Sequence, residues 1–255
     1  METYLENISK NSNPKDNFYI VNRATTSNIK TKFASPLNGR GYEIALTGFA
    51  TYYSFPNIDD RNNTIIIASE QKEHTIKLPK GCYELFEVNK NISAAMGWTE
   101  EKDAEITITA DDVTLRSKLC IKDPKWYVVF PNEHSLGLAL GFEPGTYHYK
   151  KDPFGNAACY ISQRIVNILK VDTIMIHADI VSGSMVDGAI RPVIFNLSPN
   201  VSPGNKIVVE PVNPIYLPVS RDIINEVNIW LTDQDNELLD LQGEKIVVTL
   251  HMRER

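Results

Sequence analysis

The chain ends with the stretch that decides its fold, GEKIVVTLHMRER at residues 243–255. One side of its period-two alternation carries only apolar side chains, those of Ile246, Val248, Leu250 and Met252. Such alternation is typical of a β-strand with one buried face. Because chain ends usually fray unless a sheet holds them, we predict that this terminal strand lies in the interior of a sheet.

A second strand is predicted directly before it, EVNIWLTD at residues 226–233. Its apolar face consists of Val227, Ile229 and Leu231. We predict that the two strands are the arms of an antiparallel pair, joined by the acidic segment DQDNELLDLQGE at residues 233–244.

The same kind of pattern continues through most of the chain. Short segments rich in Val, Ile, Thr and aromatic residues recur between Gly, Pro, Asn and Asp, about eleven in all. Examples are GYEIALTGFATYYSF (41–55), NTIIIAS (63–69), WYVVF (126–130), RIVNILKVDTIMIHADIV (164–181) and NKIVVEPV (205–212). Many short strands separated by turn residues favour an all-β fold, an antiparallel sandwich or closed barrel, over alternating strands and helices.

One longer helix interrupts this pattern near residues 83–96. Leu85, Val88 and Ile92 recur at helical spacing, and Gly97 follows as a candidate residue to end the helix. We predict one amphipathic helix here.

A shorter helical turn is predicted near residues 135–141, with Ser135 as its candidate N-cap. The segment that follows, 141–158, contains Pro144, Pro153 and three glycines. This composition predicts a long exposed loop or an insertion.

Length and charge bound the class of protein. The 255 residues suit one large β domain, which we place at residues 18–255 after a flexible polar arm at residues 1–17. The net charge of −6 shows no basic excess, so nucleic-acid binding by the whole chain is disfavoured. The sequence has no apolar run of membrane-spanning length and no signal-peptide core, so we expect no membrane insertion and synthesis in the cytoplasm.

The three cysteines, Cys82, Cys120 and Cys159, are odd in number and have no Cys-x-x-Cys spacing. This pattern indicates neither a disulfide framework nor a zinc site. We predict three reduced thiols.

Common enzyme signatures each fail on a specific requirement. The sequence has no Gly-x-Ser-x-Gly elbow, no phosphate loop ending in Gly-Lys-Ser/Thr and no His-Glu-x-x-His pair. Its five histidines are too dispersed to favour a sandwich-fold hydrolase or a cupin-like metal enzyme. We therefore predict a protein that is not an enzyme and needs no cofactor.

The acidic segment provides the candidates for a metal site. Asp233, Asp235, Glu237 and Glu244 occupy positions 1, 3, 5 and 12 of a calcium-loop template. Position 6 of that template requires Gly, but the chain has Leu238 there, and strands flank the segment where the template has helices. We therefore favour a polar connection between strands and keep the four carboxylates as weak candidates for a looser cation site.

The segment with the most specific resemblance to a known family begins at Asn213, NPIYLPVSRDIINEVNIWLTDQDNELLDLQGEKIVVTLHMRER. It resembles the C-terminal region of the minor capsid (penton) proteins of Polinton/Maverick-type elements, their virus relatives and virophages. Three earlier pieces resemble the same family in the same order: PLNGRGYEIALTGFATYYSFPNI (36–58), LPKGCYELFEVNKNISAAMG (78–97) and LGLALGF (136–142).

The resemblance implies a single jelly-roll β-sandwich that forms homopentamers at the five-fold vertices of an icosahedral virion. Its neighbours there would be capsomers of a double-jelly-roll major capsid protein, and a host receptor is a further expected partner. The family has no catalytic residues to transfer. Arg253 and Arg255 would end beside the sandwich, where an acidic neighbouring subunit or the packaged genome could meet them.

A binding module without capsid assembly is the alternative hypothesis. A lectin-like or receptor-binding β-sandwich would use aromatic side chains such as Tyr147 and Tyr149 on an exposed loop.

Overall fold

A computed structural model describes residues 17–21, 27–98, 104–111, 113–132, 135–167 and 170–255. Of the arm predicted at residues 1–17, only Asn17 is described, as the first residue of a strand. The rest of that prediction lies outside the described residues.

Strands make up most of the described elements. In chain order they are β1 (Asn17–Val21), β2 (Asn28–Asn38), β3 (Tyr42–Tyr52), β4 (Thr64–Ala68), β5 (Glu73–Lys77), β6 (Ile106–Asp111), β7 (Arg116–Ile121), β8 (Tyr127–Phe130), β9 (Gly145–His148), β10 (Lys150–Lys151), β11 (Ala157–Ile165), β12 (Ile174–Ala178), β13 (Ser184–Val186), β14 (Ala189–Arg191), β15 (Val193–Leu197), β16 (Lys206–Val209), β17 (Leu217–Pro218), β18 (Ile223–Thr232) and β19 (Val247–Glu254). The helices in the same residues are α1 (Leu85–Met96) and α2 (Leu136–Leu140).

The chain folds into two compact units. Of the described residues, unit 1 contains those up to Phe55 and again those from Val171 to Arg255, and unit 2 contains those from Pro56 to Lys170. Each unit has its own hydrophobic core. The single domain predicted over residues 18–255 stays a prediction, and it would include both units. The segment 141–158 is a small part of unit 2.

Unit 1 is built from two antiparallel sheets. One has the strand order β1-β19-β3-β16, with β17 also paired to β3, and the other has the order β15-β12-β18-β2. Successive strands of the chain cross between these sheets in the pattern of a jelly roll, in which eight strands form two Greek keys. The predicted all-β jelly roll is confirmed for unit 1.

The C-terminal strand lies inside a sheet, as its alternation predicts. β19 pairs with β1 on one side and with β3 on the other. Ile246, Val248 and Leu250 are fully buried, and Met252 is 4% exposed. Burying a side chain of this size contributes roughly 1.5–3 kcal/mol to folding, so the strand is held by its packing as well as by its hydrogen bonds.

The predicted antiparallel pair of β18 and β19 is wrong. β18 pairs with β2 and β12, whereas β19 belongs to the other sheet. The connection between them carries the chain from one sheet to the facing sheet. Both apolar faces therefore enter the same core, where Val227 and Ile229 from β18 join Val248 and Leu250 from β19.

Unit 2 also contains two antiparallel sheets, ordered β10-β11-β7-β6 and β5-β4-β8-β9. The helices predicted near 83–96 and 135–141 are confirmed as α1 and α2. Val88 and Ile92 are the buried residues of α1, and Gly97 ends the helix with φ of +75°, in the left-handed region that glycine favours. Among the described residues, no helix is both long and apolar enough to cross a membrane.

The helix α1 lies at the β6 edge of its sheet. The side-chain amide of Asn89 donates to the Ile108 carbonyl and accepts from the Ile108 N–H at 2.8 Å. An amide side chain thereby satisfies backbone groups that would otherwise form an open sheet edge.

The segment 141–158 forms strands where a loop or insertion was predicted. It contains β9, which pairs with β8, and β10, which pairs with β11. Its glycines and prolines mark turns between short strands, which composition alone does not distinguish from one long loop.

Two of the three cysteines are joined. Cys120 in β7 and Cys159 in β11 lie directly opposite each other across the strand pair and form a disulfide. The prediction of three reduced thiols is therefore wrong for this pair, while Cys82 remains a thiol. The two residues are 39 positions apart, and strand pairing, which spacing does not reveal, brings them together.

Candidate binding and assembly surfaces

The acidic segment folds as a tight turn around Asp233, which is 6% exposed. One oxygen of its carboxylate, Oδ1, accepts from the backbone N–H groups of Asp235 at 3.0 Å and Glu237 at 2.9 Å. The Asp233 N–H in turn donates to the Glu237 carbonyl at 3.0 Å, and Asn236 has a left-handed backbone with φ of +64°. The carboxylate thus holds the turn by satisfying backbone donors.

The remaining metal candidates are not gathered around this carboxylate. Asp235 and Glu237 are exposed. The N–H of Glu244 donates to the Leu241 carbonyl at 2.9 Å in a separate turn. Within the described parts of the chain, no group of three or more His, Cys, Asp or Glu side chains is placed to share a metal ion.

The end of β19 carries a cluster of polar and aromatic contacts. Arg253 donates through Nε to Glu43 Oε1 at 2.7 Å, and its guanidinium lies 3.5 Å from the centre of the Tyr216 ring. Tyr216 is hydrogen-bonded to His251 Nδ1 at 2.8 Å. Arg253 and Arg255 are exposed, as expected, but the Arg253 side chain already has partners within its own chain.

The aromatic residues of the predicted exposed loop are not displayed. Tyr147 is 7% exposed and makes edge contacts with Phe130, Phe142 and Tyr160. Burial raises the pKa of the Tyr147 hydroxyl, which donates to the Glu143 carbonyl at 2.9 Å. Tyr149 packs partly buried against the same core. These tyrosines stabilise unit 2.

A different aromatic residue of this segment is displayed. Phe154 is 88% exposed at the turn between β10 and β11. Asp152 orders that turn, because its Oδ1 accepts from the N–H groups of Phe154 at 2.9 Å and Asn156 at 2.8 Å. These hydrogen bonds hold the pKa of the Asp152 carboxyl below its usual value, with the Asn156 N–H as the largest cause. We call residues 151–157 the Phe154 tip.

An open cavity of about 630 Å³ lies along α1 and the residues that precede it. Its lining includes Cys82, Phe86, Glu87, Lys90 and Ala94. Burial, with a further contribution from the Glu87 carboxylate, raises the pKa of the Cys82 thiol. We call this space the α1 cavity.

The core of unit 1 contains the buried side chain of His177, which contacts Trp230 and Thr232. His177 is 2% exposed, its ring stacks on Trp230 with centroids 4.9 Å apart, and Nε2 lies 2.9 Å from Thr232 Oγ1. Its other nitrogen, Nδ1, has no hydrogen-bond partner among the described residues. Burial, followed by the nearby charge of Arg191, lowers the pKa of His177 to about 4.

The residues that sequence reasoning missed carry weak local signals. The run Asp152-Pro153-Phe154-Gly155-Asn156 has the composition of a tight turn, which predicts the exposure of its central residue. The α1 cavity has no such signal, because its lining follows from the way α1 and the segment before it pack.

The fold and these surfaces define the class of protein: a jelly roll interrupted after Phe55 by a second β unit. The crystal structure of the selenomethionine-labelled mavirus penton protein is similar to it, with 10% sequence identity, a TM-score of 0.47 and coverage of 94% of this chain and 99% of that chain. A chain of the cryo-EM structure of the Sputnik virophage is also similar, with 11% identity, a TM-score of 0.41 and coverage of 94% and 98%. No family model and no curated protein matches the sequence.

Proposed function

We propose that the protein is a structural capsid subunit, a penton (minor capsid) protein that forms homopentamers at the five-fold vertices of an icosahedral virion. The strand order of unit 1 carries this proposal, because the jelly roll is an architecture of viral capsid domains. Lectins and cupins use the same architecture, so the fold alone does not define the function. The penton-like sequence pattern from residue 36 to the C-terminus provides the second support.

The architecture of unit 1 suits a subunit that is surrounded by neighbours. Its two sheets bury their apolar faces against each other, and the C-terminal strand is locked between β1 and β3. The rigid sandwich therefore leaves its loops and outer faces available for contacts. A ring of five requires two different complementary surfaces on each subunit, since cyclic assemblies above the dimer use heterologous contacts.

The proposed partners are other copies of this chain and the double-jelly-roll major capsid protein, with a host receptor as a further partner at the vertex. Contact between Arg253 and the packaged genome is less favoured, because Glu43 and Tyr216 already hold its guanidinium. Arg255 is the better candidate for an external contact at this end, because Arg253 is equally exposed but is held by Glu43 and Tyr216.

The lectin-like alternative loses the residues on which it was based. Tyr147 is buried and Tyr149 partly buried, so neither presents the open aromatic face that stacks on a sugar. No other observation favours this alternative over the capsid proposal.

Native mass spectrometry of the purified full-length protein tests the proposal. We expect a species with the mass of five 28.8 kDa chains and five-fold rings in negative-stain images. A dilution series would distinguish specific rings from aggregates. A protein that stays monomeric at high concentration, both alone and with the major capsid protein, would contradict the proposal, and glycan-array binding by such a monomer would favour the lectin-like alternative.

A further inference from the structure

The Phe154 tip has the properties of a preformed anchor. An aromatic side chain that is 88% exposed gains much from being covered, and aromatic anchors dominate the energetics of many protein interfaces. The hydrogen bonds from Phe154 and Asn156 to Asp152 fix the backbone of the turn before any partner arrives. Little conformational entropy is therefore lost when the ring is docked.

The α1 cavity offers a matching surface. It is open, and its volume of about 630 Å³ exceeds what a phenyl ring occupies. Phe86, which is 59% exposed, and Tyr83 line it with aromatic surface. A phenylalanine entering this space would meet aromatic side chains and the exposed methyl group of Ala94.

The two surfaces carry opposite charge. Two cations, Lys150 and Lys151, accompany the single carboxylate of Asp152, which accepts from N–H donors of the tip itself. The Lys150 ammonium lies 3.8 Å from the centre of the Tyr160 ring, whereas Lys151 is exposed. The α1 cavity has two carboxylates, Glu84 and Glu87, against the single cation Lys90. Burial first, and then the Glu87 carboxylate, raise the pKa of the Tyr83 hydroxyl.

The topology of unit 2 places these surfaces at opposite edges of one sheet. The order β10-β11-β7-β6 puts the Phe154 tip at the β10 edge, and Asn89 fastens α1 to the β6 edge. Four strands separate these edges by about 14 Å, given a spacing of about 4.8 Å per strand. One copy cannot dock its tip in its own cavity without breaking the sheet, whereas two copies can join head to tail.

We infer that the Phe154 tip of one copy docks in the α1 cavity of the next copy, with Lys151 facing Glu84 and Glu87. The contact is heterologous, and five copies close a ring when each contact rotates the next copy by one fifth of a turn. This inference rests on the proposed assembly into homopentamers and adds the residues that join neighbouring copies.

Site-directed crosslinking tests the contact directly. In a Cys82→Ser background, where the remaining cysteines are joined to each other, Phe154→Cys and Ala94→Cys place one thiol at the tip and one in the cavity. Treatment with a short bismaleimide is expected to give covalent dimers and a ladder up to five chains. The matched control carries Val113→Cys in place of Phe154→Cys. Val113 is 91% exposed at the turn between β6 and β7 and lies outside the inferred contact.

A second measurement needs no crosslinker. Phe154→Ser is expected to raise the concentration at which the rings dissociate by about 30-fold, the effect of losing one strong interface anchor. Val113→Ser removes a similarly exposed apolar side chain and is expected to leave that concentration unchanged. Because both positions are exposed, thermal unfolding of either variant should match the wild type.

The outcomes separate this inference from the proposed function. Five-subunit rings that dissociate at the same concentration in the wild type and in Phe154→Ser, with no crosslinking above the Val113→Cys control, would overturn the inferred contact and leave the capsid proposal intact. A wild-type protein that never forms rings would overturn both.

Discussion

Asp233 shows that the carboxylate spacing of a calcium loop also occurs where the carboxylate accepts hydrogen bonds from the backbone. The spacing of Asp233, Asp235 and Glu237 matches the start of a calcium loop, yet the structure points the Asp233 carboxylate at backbone N–H groups. Buried donors that lose their acceptor are costly, so the role of this residue is measurable as stability.

We expect Asp233→Ala to lower the free energy of unfolding by about 1–3 kcal/mol, because two backbone N–H groups lose their acceptor. Asp235→Ala, at an exposed position, should change it by less than about 0.5 kcal/mol. Urea denaturation of both variants measures the difference. Calcium should leave the wild-type midpoint unchanged, and a calcium-dependent increase that Asp235→Ala abolishes would support the metal site instead.

His177 makes stability depend on pH. Its folded-state pKa of about 4 lies below the ordinary value of 6.5, because burial penalises the charged ring. The unfolded chain therefore binds a proton more readily than the folded one between these values. The stabilisation is complete above the pKa of the unfolded state and is lost as the pH falls toward 4. Between pH 7 and pH 5 the free energy of unfolding therefore falls by about 2 kcal/mol.

Substituting His177→Phe should remove this part of the pH dependence, since phenylalanine keeps an aromatic ring against Trp230 and cannot be protonated. Guanidinium denaturation at pH 7 and pH 5 provides the measurement. The difference between the two pH values should shrink by about 2 kcal/mol relative to the wild type. His148→Phe, at an exposed position, is the matched control, and an equal effect there would assign the pH dependence elsewhere.

At the scale of the elements, the sequence predicts the type of each segment, helix or strand, more accurately than it predicts the strand with which that segment pairs. Alternation in residues 243–255 identifies β19 and its buried face, because period two follows from strand geometry alone. The sheet to which a strand belongs depends on distant segments, and β18 and β19 have suitable apolar faces for either arrangement. The hairpin prediction failed for this reason.

Other differences have the same origin. The apolar run at residues 164–181 counts as a single strand candidate, but the structure ends β11 at Ile165 and begins β12 at Ile174, in different sheets and different units. The helix α1 was predictable because the spacing of Val88 and Ile92 and the glycine at its end are local signals. The disulfide and the α1 cavity were not, because both depend on contacts between separate elements.

The Cys120–Cys159 disulfide ties β7 to β11 across 39 positions of sequence. Closing a loop of this length restricts the unfolded chain and stabilises the fold by about 2–4 kcal/mol. We expect the double variant Cys120→Ser/Cys159→Ser to lose that amount in denaturant unfolding.

The matched control is Cys82→Ser, which leaves the disulfide in place. Mass spectrometry of the intact wild-type protein after alkylation without reductant should detect one modified cysteine. Three modified cysteines, together with equal stability of the double variant and the control, would restore the prediction of reduced thiols.

At the scale of the whole molecule, the division into two units was hidden because both units are made of the same kind of strand. Composition and periodicity do not change at Phe55 or Val171, so no boundary is predicted there. Only the contacts separate a core that contains Ile229 from one that contains Ile108.

We expect the two units to unfold separately, giving two transitions in calorimetry of the full chain. Ile229→Ala removes buried volume from unit 1 and Ile108→Ala from unit 2, and each should destabilise its own unit by about 2–5 kcal/mol. Each variant should therefore lower one transition and leave the other in place. One transition that both variants lower equally would favour the single domain predicted from the sequence.

The central position of β19 has a consequence for synthesis on the ribosome. The strand lies between β1 and β3, yet it is translated after both of them and after every described strand of unit 2. The sheet of unit 1 therefore keeps an open gap until residues 247–254 emerge, while the described strands of unit 2 lie between Pro56 and Lys170 and are available earlier. A nascent chain stalled before residue 243 would carry the strands of unit 2 and an incomplete jelly roll, so that unit 1 can close and meet its neighbours only after β19 has left the ribosome.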